Sequence, residues 1–288
     1  MRTFRLAAWA IPLWRSPGVL QLGLDAGCPV IRGAPEATLD ALLSLQTPRT
    51  NSELRRIAPS LPPDWLDSLL SQLVASGALE TDAVQPPGRV LIAGSGALAV
   101  EVFRLLSSHP VQISWLRATG SKPPPGARIR FLEEWEAALE RPDLTLLIPS
   151  TIEHDRALSD MLVAEGLDHL VVRSEPDRTV VGPFTVGGRF PCSRCLDMHR
   201  RDADAAWPYL LAQLALRPAR THRSLRAWAA STAVSHAMCH LAGGIPDSCG
   251  RTIELEIPGR LQSRAWRMHQ NCRCSQSWSA TNPSTASA

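Results

Sequence analysis

Two close cysteine pairs constrain this chain more than any other feature: Cys192 and Cys195 in FPCSRC, and Cys272 and Cys274 in HQNCRC. Sulfurs so far apart in sequence share a site only if the fold closes on them. A tetrahedral zinc ion takes four soft, deprotonated ligands, and two short-spaced pairs from distant segments supply them. On that reading the residues between the pairs form one clamped unit. Four thiolates leave no position for water, so the metal holds the chain and does not catalyse. The C-x-C half is less common than C-x-x-C, and His269, three residues before Cys272, is an alternative fourth ligand. Disulfides compete with this reading. The start, MRTFRLAAWAIPLW, is broken by Arg5, Pro12 and Arg15 and does not read as a secretory signal. A cytoplasmic setting follows, and there paired cysteines signify metal or redox chemistry. Cys28, Cys239 and Cys249 stand alone and read as buried or incidental thiols.

With 288 residues the chain has ample length for a large core or two modest ones. A net charge of +3, without a basic block, argues against a nucleic-acid partner. Lys122 is the sole lysine. The small-residue stretch Ala227–Gly244 contains His236 and His240 and is too interrupted to span a bilayer, so no membrane segment is expected.

Three zones follow along the chain. Residues 1–81 open with short strand-like runs: an irregular Leu6–Trp14, then Gly18–Leu24 and Pro29–Arg32. Three helical patterns come next. PEATLDALLSL places Pro35 in a first turn, and TNSELRRIA has the capping-box pair Thr50 and Glu53. PPDWLDSLLSQLVASG carries Trp65, Leu66, Leu69, Leu70 and Leu73 along one face and stops at Gly77. A small sheet with three short helices reads as a winged-helix-like module. Its third helix is neutral to acidic, which favours a peptide over DNA. Residues 82–88, DAVQPPG, form a linker by composition. The zone 89–274 begins with alternating strands and helices, which indicate βαβ units and a parallel sheet covered on both faces. TGSKPPPG interrupts it as a proline loop, and EEWEAALE reads as a helix. A hairpin is expected in TVVGPFTVGG, helices over about Ala203–Leu216 and Ser224–Leu241, and a strand pair in TIELEI and SRAWRM. Residues 275–288 are rich in Ser, Ala, Thr and Pro and are expected to be a disordered tail.

The glycine loop GSGALA, with Gly94 and Gly96, follows a strand and opens a helix. In that context backbone N–H groups can approach a phosphate. A dinucleotide site wants an acid at the end of the next strand, and VQISWLRATG has none, so the glycines read first as a tight strand–helix turn. His236 and His240 lie one helical turn apart without an acidic neighbour in sequence, which favours packing or hydrogen bonding over a metal. The charged run Asp197–Trp207 reads as a solvated helix start.

A strand–glycine–helix fold carrying a Cys pair in GGRFPCSRC, a second pair in HQNCRC and a winged-helix-like segment in front resembles the ThiF-like cyclodehydratase partner proteins of azole-forming ribosomal peptide pathways. The resemblance runs from about Arg5 to Cys274 and is most specific around Pro191–Leu214 and the final Cys pair. It implies an α/β fold: a PqqD-like recognition module followed by a degenerate Rossmann-like ThiF-type domain. It implies a structural zinc on Cys192, Cys195, Cys272 and Cys274. It also implies that a precursor leader peptide adds as a strand near Val30, Ile31 and Arg32, facing Trp65, Leu69 and Gln72 of the third helix. A YcaO-type cyclodehydratase is the implied partner, with homodimerisation as a family trait. Adenylating relatives use an acid after the second strand, an Arg and a Lys on the phosphates, and an Asp after the fourth strand. Here WLRATG and IPSTIEHD stand at the two strand ends, Ser150 and Thr151 lie near the expected Asp, and Asp155 comes late. These departures argue against ATP chemistry, with any phosphate role of Gly94 and Gly96 vestigial. An ATP-dependent adenylating enzyme and a nicotinamide oxidoreductase are the alternatives.

Overall fold

A computed structural model describes residues 2–81, 88–117, 128–131, 141–187 and 189–274. The linker up to residue 87, the proline loop with Lys122, the EEWEAALE pattern and the tail after Cys274 lie outside the described residues. Two compact units divide the chain, Met1–Gln85 and Pro86–Ala288.

In chain order the first unit contains β1 (Thr3–Leu6), β2 (Pro12–Ser16), β3 (Val19–Leu22), β4 (Val30–Arg32), α1 (Ala37–Ser44), β5 (Arg49–Thr50), α2 (Asn51–Ile57), α3 (Pro63–Ala75) and β6 (Leu79–Thr81). β1 runs antiparallel between β5 and β6, and β2–β3–β4 form a separate antiparallel sheet. The apolar run Leu6–Trp14 is therefore not one strand. The N–H of Ala7 is bonded to the Ala78 carbonyl, Ala10 N–H turns back onto Ala7, and the chain re-enters a different sheet at Pro12. The apolar face of α3, Leu66, Leu69, Leu70 and Leu73, is buried with Leu20, Leu22, Leu42 and Leu54. α2 starts with the capping box that the spacing suggests. Thr50 Oγ1 accepts from Glu53 N–H at 3.3 Å, and Glu53 Oε2 accepts from Thr50 N–H at 2.7 Å.

The second unit contains β7 (Gly88–Gly94), α4 (Ala97–Leu106), β8 (Val111–Arg117), β9 (Arg128–Phe131), β10 (Leu144–Ile148), α5 (Arg156–Ala164), β11 (His169–Ser174), β12 (Arg178–Thr185), α6 (Ser193–Ala203), α7 (Trp207–Leu214), α8 (Arg223–Leu241), β13 (Arg251–Glu256) and β14 (Arg260–Ala265). Its sheet has the order β14-β13-β12-β11-β10-β7-β8-β9. β7 through β11 are parallel neighbours, and β12, β13 and β14 extend the sheet antiparallel. The sheet is thus mixed, not purely parallel. β10 and β11 are buried along their whole length, as strands covered on both faces should be. Helices α4 and α8 cover one face through Leu98, Val102, Ala229 and Ala233. On the other face Leu162 and Leu167, from α5 and the turn after it, pack over Leu91, Leu147 and Val171.

The Gly-Pro in TVVGPFTVGG does not make a turn. β12 runs through it, paired with β11, and the register shift between Leu170 and Val172 absorbs the two residues. A bulge has taken the place of the expected hairpin. Among the described residues no helix is long and apolar enough to cross a membrane.

Replacing Thr50 with Ala removes both the acceptor for Glu53 N–H and the fixed start of α2. The first unit is expected to lose about 1 kcal/mol of stability, read from urea denaturation midpoints.

Candidate functional site

The first unit brings all the peptide-facing residues suggested by sequence to one place. Val30, Ile31 and Arg32 of β4 and Trp65, Leu69 and Gln72 of α3 line a single cleft of about 480 Å³, together with Pro29, Ser68, Leu73 and Ser76. The helical spacing of Trp65, Leu69, Gln72 and Ser76 explains the wall, since residues three and four apart share a face. Leu69 and Leu73 are buried at its base, whereas Ser68, Gln72 and Ser76 are exposed. Among the described residues β4 is an edge strand, paired only with β3. Leu22 N–H donates to the Pro29 carbonyl at 2.9 Å, which fixes the alternation. Ile31 then exchanges its bonds with Leu20, and the peptide groups of Val30 and Arg32 point away from β3. The free edge thus offers backbone donors and acceptors beside a cleft with an apolar base and a polar rim.

In the second unit the four cysteines converge. Their sulfurs all lie within 4.8 Å of one another, and all four residues are buried. Sγ–Sγ separations are 3.9 Å for Cys192–Cys195, 3.7 Å for Cys192–Cys272 and 3.4 Å for Cys195–Cys274. A tetrahedral ion with metal–sulfur bonds of about 2.3 Å has edges of about 3.8 Å, so the donor set fits such an ion. Cys192 is the residue capping α6 and Cys195 lies in its first turn, which gives the C-x-x-C half its geometry. His269 is outside the ligand set. Its Nε2 is 2.7 Å from Asp202 Oδ2, its Nδ1 accepts from Asn271 N–H at 3.2 Å, and its carbonyl accepts from Cys272 N–H. It orients the second pair from outside.

The glycine loop lies at the point where strand order reverses, between β7 and its neighbours β8 and β10. A side chain on Gly94 would place its Cβ 1.8 Å from the Ile148 carbonyl oxygen, so this glycine is required by the close pass of β10. Gly96 opens α4 at φ +89°, a conformation that favours glycine. Opposite, the chain covers the end of β10 with its own backbone. Ala219 N–H bonds to the Ser150 carbonyl at 2.8 Å and Ile152 N–H to the Arg217 carbonyl at 2.9 Å.

The two acids that follow β10 are both engaged. Asp155 caps α5, its Oδ1 accepting from Ala157 N–H at 2.8 Å. Glu153 is buried against Arg156 at 2.9 Å, Arg173 at 3.2 Å and Arg200 at 3.5 Å. Burial by itself would raise the Glu153 carboxyl, but the three guanidinium groups outweigh it and hold it below the ordinary value. His154 is buried beside them. Desolvation and the charges of Arg156 and Arg173 keep its imidazole neutral, with Arg156 donating to Nδ1 at 2.8 Å. Sequence spacing could not reveal this hub, because Glu153, Arg173 and Arg200 come from separate elements. Asp197 belongs to it as well: it accepts from Arg156 at 2.6 Å and from Trp207 Nε1 at 3.1 Å. The charged run Asp197–Trp207 is therefore partly an internal network, not a solvated helix start. His236 bonds to Ser248 Oγ at 2.8 Å, and His240 lies 3.0 Å from Asp168, an acid remote in sequence.

Comparison with solved structures gives three informative likenesses. E. coli MccB with ATP aligns over 94% of this chain and 99% of its own, with a TM-score of 0.59 and 10% identity. The microcin C7 biosynthetic enzyme MccB in complex with N-formylated MccA aligns over 96% and 100%, with a TM-score of 0.59 and 11% identity. A heterocyclase in complex with substrate and cofactor aligns over 96% of this chain but 40% of its own, with a TM-score of 0.65 and 15% identity. No family model and no curated protein matches the chain. At these identities the likeness is one of fold, and the large mixed sheet is of the ThiF/MccB kind.

Two outcomes follow from the second unit. The purified chain is expected to carry one metal atom, measured by elemental emission; Cys272→Ser should abolish it and lower the melting temperature by about 5 °C or more, because metal binding is linked to folding. Acid should act through the hub. Glu153 and His154 both bind protons less readily when folded, so stability should fall as pH drops below the ordinary histidine value of 6.5, and again as it drops below the ordinary glutamate value of 4.5. Urea melts across that range in Glu153→Gln should show a shallower acid limb than in the unsubstituted chain.

Proposed function

We propose that this chain captures the leader of a ribosomally made precursor peptide and presents its reactive Cys, Ser or Thr residues to a separate YcaO-type cyclodehydratase. The single observation carrying this reading is the cleft between β4 and α3. Six residues that the family resemblance implied, Val30, Ile31, Arg32, Trp65, Leu69 and Gln72, all line it, next to a strand edge that is free among the described residues. An incoming peptide gains main-chain hydrogen bonds from the edge and selectivity from the side-chain wall. The first unit is read as a winged-helix-like, PqqD-like recognition module. That MccB has been solved with MccA, and a heterocyclase with its substrate, supports a peptide-handling role for this fold. Presentation works through effective concentration: a bound leader keeps the reactive segment near the partner's site, so weak local contacts suffice.

Cys192, Cys195, Cys272 and Cys274 would hold a structural zinc. With four sulfurs around it the ion has no position for water, and it supplies stability and not Lewis-acid chemistry. The absence of ATP chemistry is part of the proposal. The support is local: Ser150 and Thr151 stand where a metal-binding acid is needed, Asp155 is a helix cap and Glu153 is neutralised by three arginines. The competing reading, an adenylating enzyme, draws on the likeness to MccB with ATP and on the glycine loop at the switch point.

Titration with a fluorescently labelled leader from a precursor encoded beside this gene should give saturable binding. Arg32→Pro, which deletes an outward N–H without touching the β3 pairing, should weaken it by about tenfold with an unchanged melting temperature. Absence of binding to any such peptide refutes the capture role, and ATP–pyrophosphate exchange by the pure chain would establish the adenylating alternative.

A further inference from the structure

A cavity of about 530 Å³ opens beside the four sulfurs, walled by α5, α6 and the turn that carries Cys272 and Cys274. Cys192, Cys272 and Cys274 line it, and Cys195 does not. Burial follows the same division. Cys195 is 0% exposed, whereas Cys192 and Cys272 retain 2% and Cys274 retains 3%. One water takes up about 30 Å³ of liquid, so a cavity of this size brings small solutes to the cluster. A clamp with no other task gains nothing from such an approach.

The chemistry of the wall identifies the solute. Sulfur bound to a metal ion is thiolate whatever its own acidity, and thiolate is the form that peroxides attack. Arg273 stands between the two cysteines of the second pair, lines the same cavity, is exposed, and makes no ion pair among the described residues. The other cation on the wall, Arg194, is held by Asp160. An unengaged guanidinium at that place stabilises hydroxide as it leaves a peroxide. Cys192 and Cys272 come from distant segments, both border the cavity, and their sulfurs are 3.7 Å apart. Closing to a disulfide of about 2 Å asks for a small approach of two side chains and no rearrangement of the chain.

We propose that Cys192 and Cys272 are a site of reversible oxidation by hydrogen peroxide, forming a disulfide that displaces the metal and takes over its task of joining α6 to the segment around Cys272. The inference rests on the reading of the four cysteines as a zinc site. The thiolate of Cys272 attacks one peroxide oxygen, an S–O bond forms, the O–O bond breaks and hydroxide leaves. The thiolate of Cys192 then attacks the oxidised sulfur, the S–S bond forms and a second hydroxide leaves. The two sulfurs give up two electrons, the peroxide accepts them, and two protons from solvent turn the hydroxides into water. Cys195 and Cys274 alone are too few ligands to retain the ion.

The metal-loaded full chain tests this when it is treated with hydrogen peroxide beside a chromogenic zinc chelator and its disulfides are mapped by mass spectrometry. Metal should be released as two thiols are lost, with Cys192–Cys272 as the new bridge, and dithiothreitol with added zinc should reverse both changes. The oxidised chain should melt at least about 3 °C above Cys272→Ser, since the bridge still joins the two segments. Ala164→Trp, at an exposed position on the cavity wall, and Arg273→Gln should each keep the metal and slow its release by at least about fivefold. A purified chain without metal overturns the zinc reading and this proposal with it. Metal retained under peroxide overturns this proposal alone. A bridge between other cysteines, such as Cys195 and Cys274, overturns the assignment of the pair, and release that neither variant slows overturns the cavity as its route.

Discussion

The meeting of four sulfurs holds together the part of the second unit that hydrophobic burial cannot. Helix α6 reads SRCLDMHRRDA and buries only Ser193, Cys195 and Leu196, too little for an eleven-residue helix to dock by apolar contact. The segment from Trp266 to Cys274 follows β14, mostly without regular structure. The cysteines turn these two weak partners into one cluster with Val163, Met198, Trp266 and Met268 against it. Polar contacts complete the junction. His199 Nε2–H donates to the Arg267 carbonyl at 2.9 Å, and Trp266 Nε1–H donates to Thr252 Oγ1 at 3.0 Å. A metal ion held by the four sulfurs would make such an assembly independent of a large core, since its binding energy would become folding energy.

A second constraint acts at the end of β10, where folds of this topology place their ligand chemistry. Here the carboxylates there are committed to the scaffold. Glu153 compensates three arginines whose burial would otherwise be costly, and it joins the start of α5, the strand β11 and the helix α6. A metal-binding carboxylate must be free to face its ion. A carboxylate already holding three guanidinium groups is not free without unpicking the structure around it. Shared architecture with MccB does not by itself carry shared chemistry, which is why function has to be argued from the site and not from the sheet.

Much of this was legible in the chain itself, for identifiable reasons. The capping box at Thr50 and Glu53, the glycine turn at Gly94 and the cysteine pairs are local patterns whose geometry follows from spacing. The six cleft residues were suggested by resemblance, and the structure gathers them. What escaped was non-local or self-cancelling. The Glu153 hub needs partners from three elements. Gly182–Pro183 carries a turn signal, yet the pairing of β12 with strands on both sides overrides it. The sequence reading placed a helix start in the charged run Asp197–Trp207 and a helix over about Ala203–Leu216, whereas α6 begins at Ser193, where Cys192 and Cys195 set its position.

Helices α3 and α7 show where sequence reading stops in principle. Both are leucine-rich, and periodicity reports an apolar side in each. α3 buries Leu66, Leu69, Leu70 and Leu73, whereas α7 buries nothing. Periodicity states which side of a helix avoids water, but not whether the same chain supplies the cover. Only the packed structure separates a face that the same chain covers from one that it leaves open. The cleft of α3 answers water with a polar rim of Ser68, Gln72 and Ser76 around its apolar base. Helix α7 carries no charge along its length and leaves Tyr209 and Leu210 open to water, so the apolar side that its periodicity reports is not a core side.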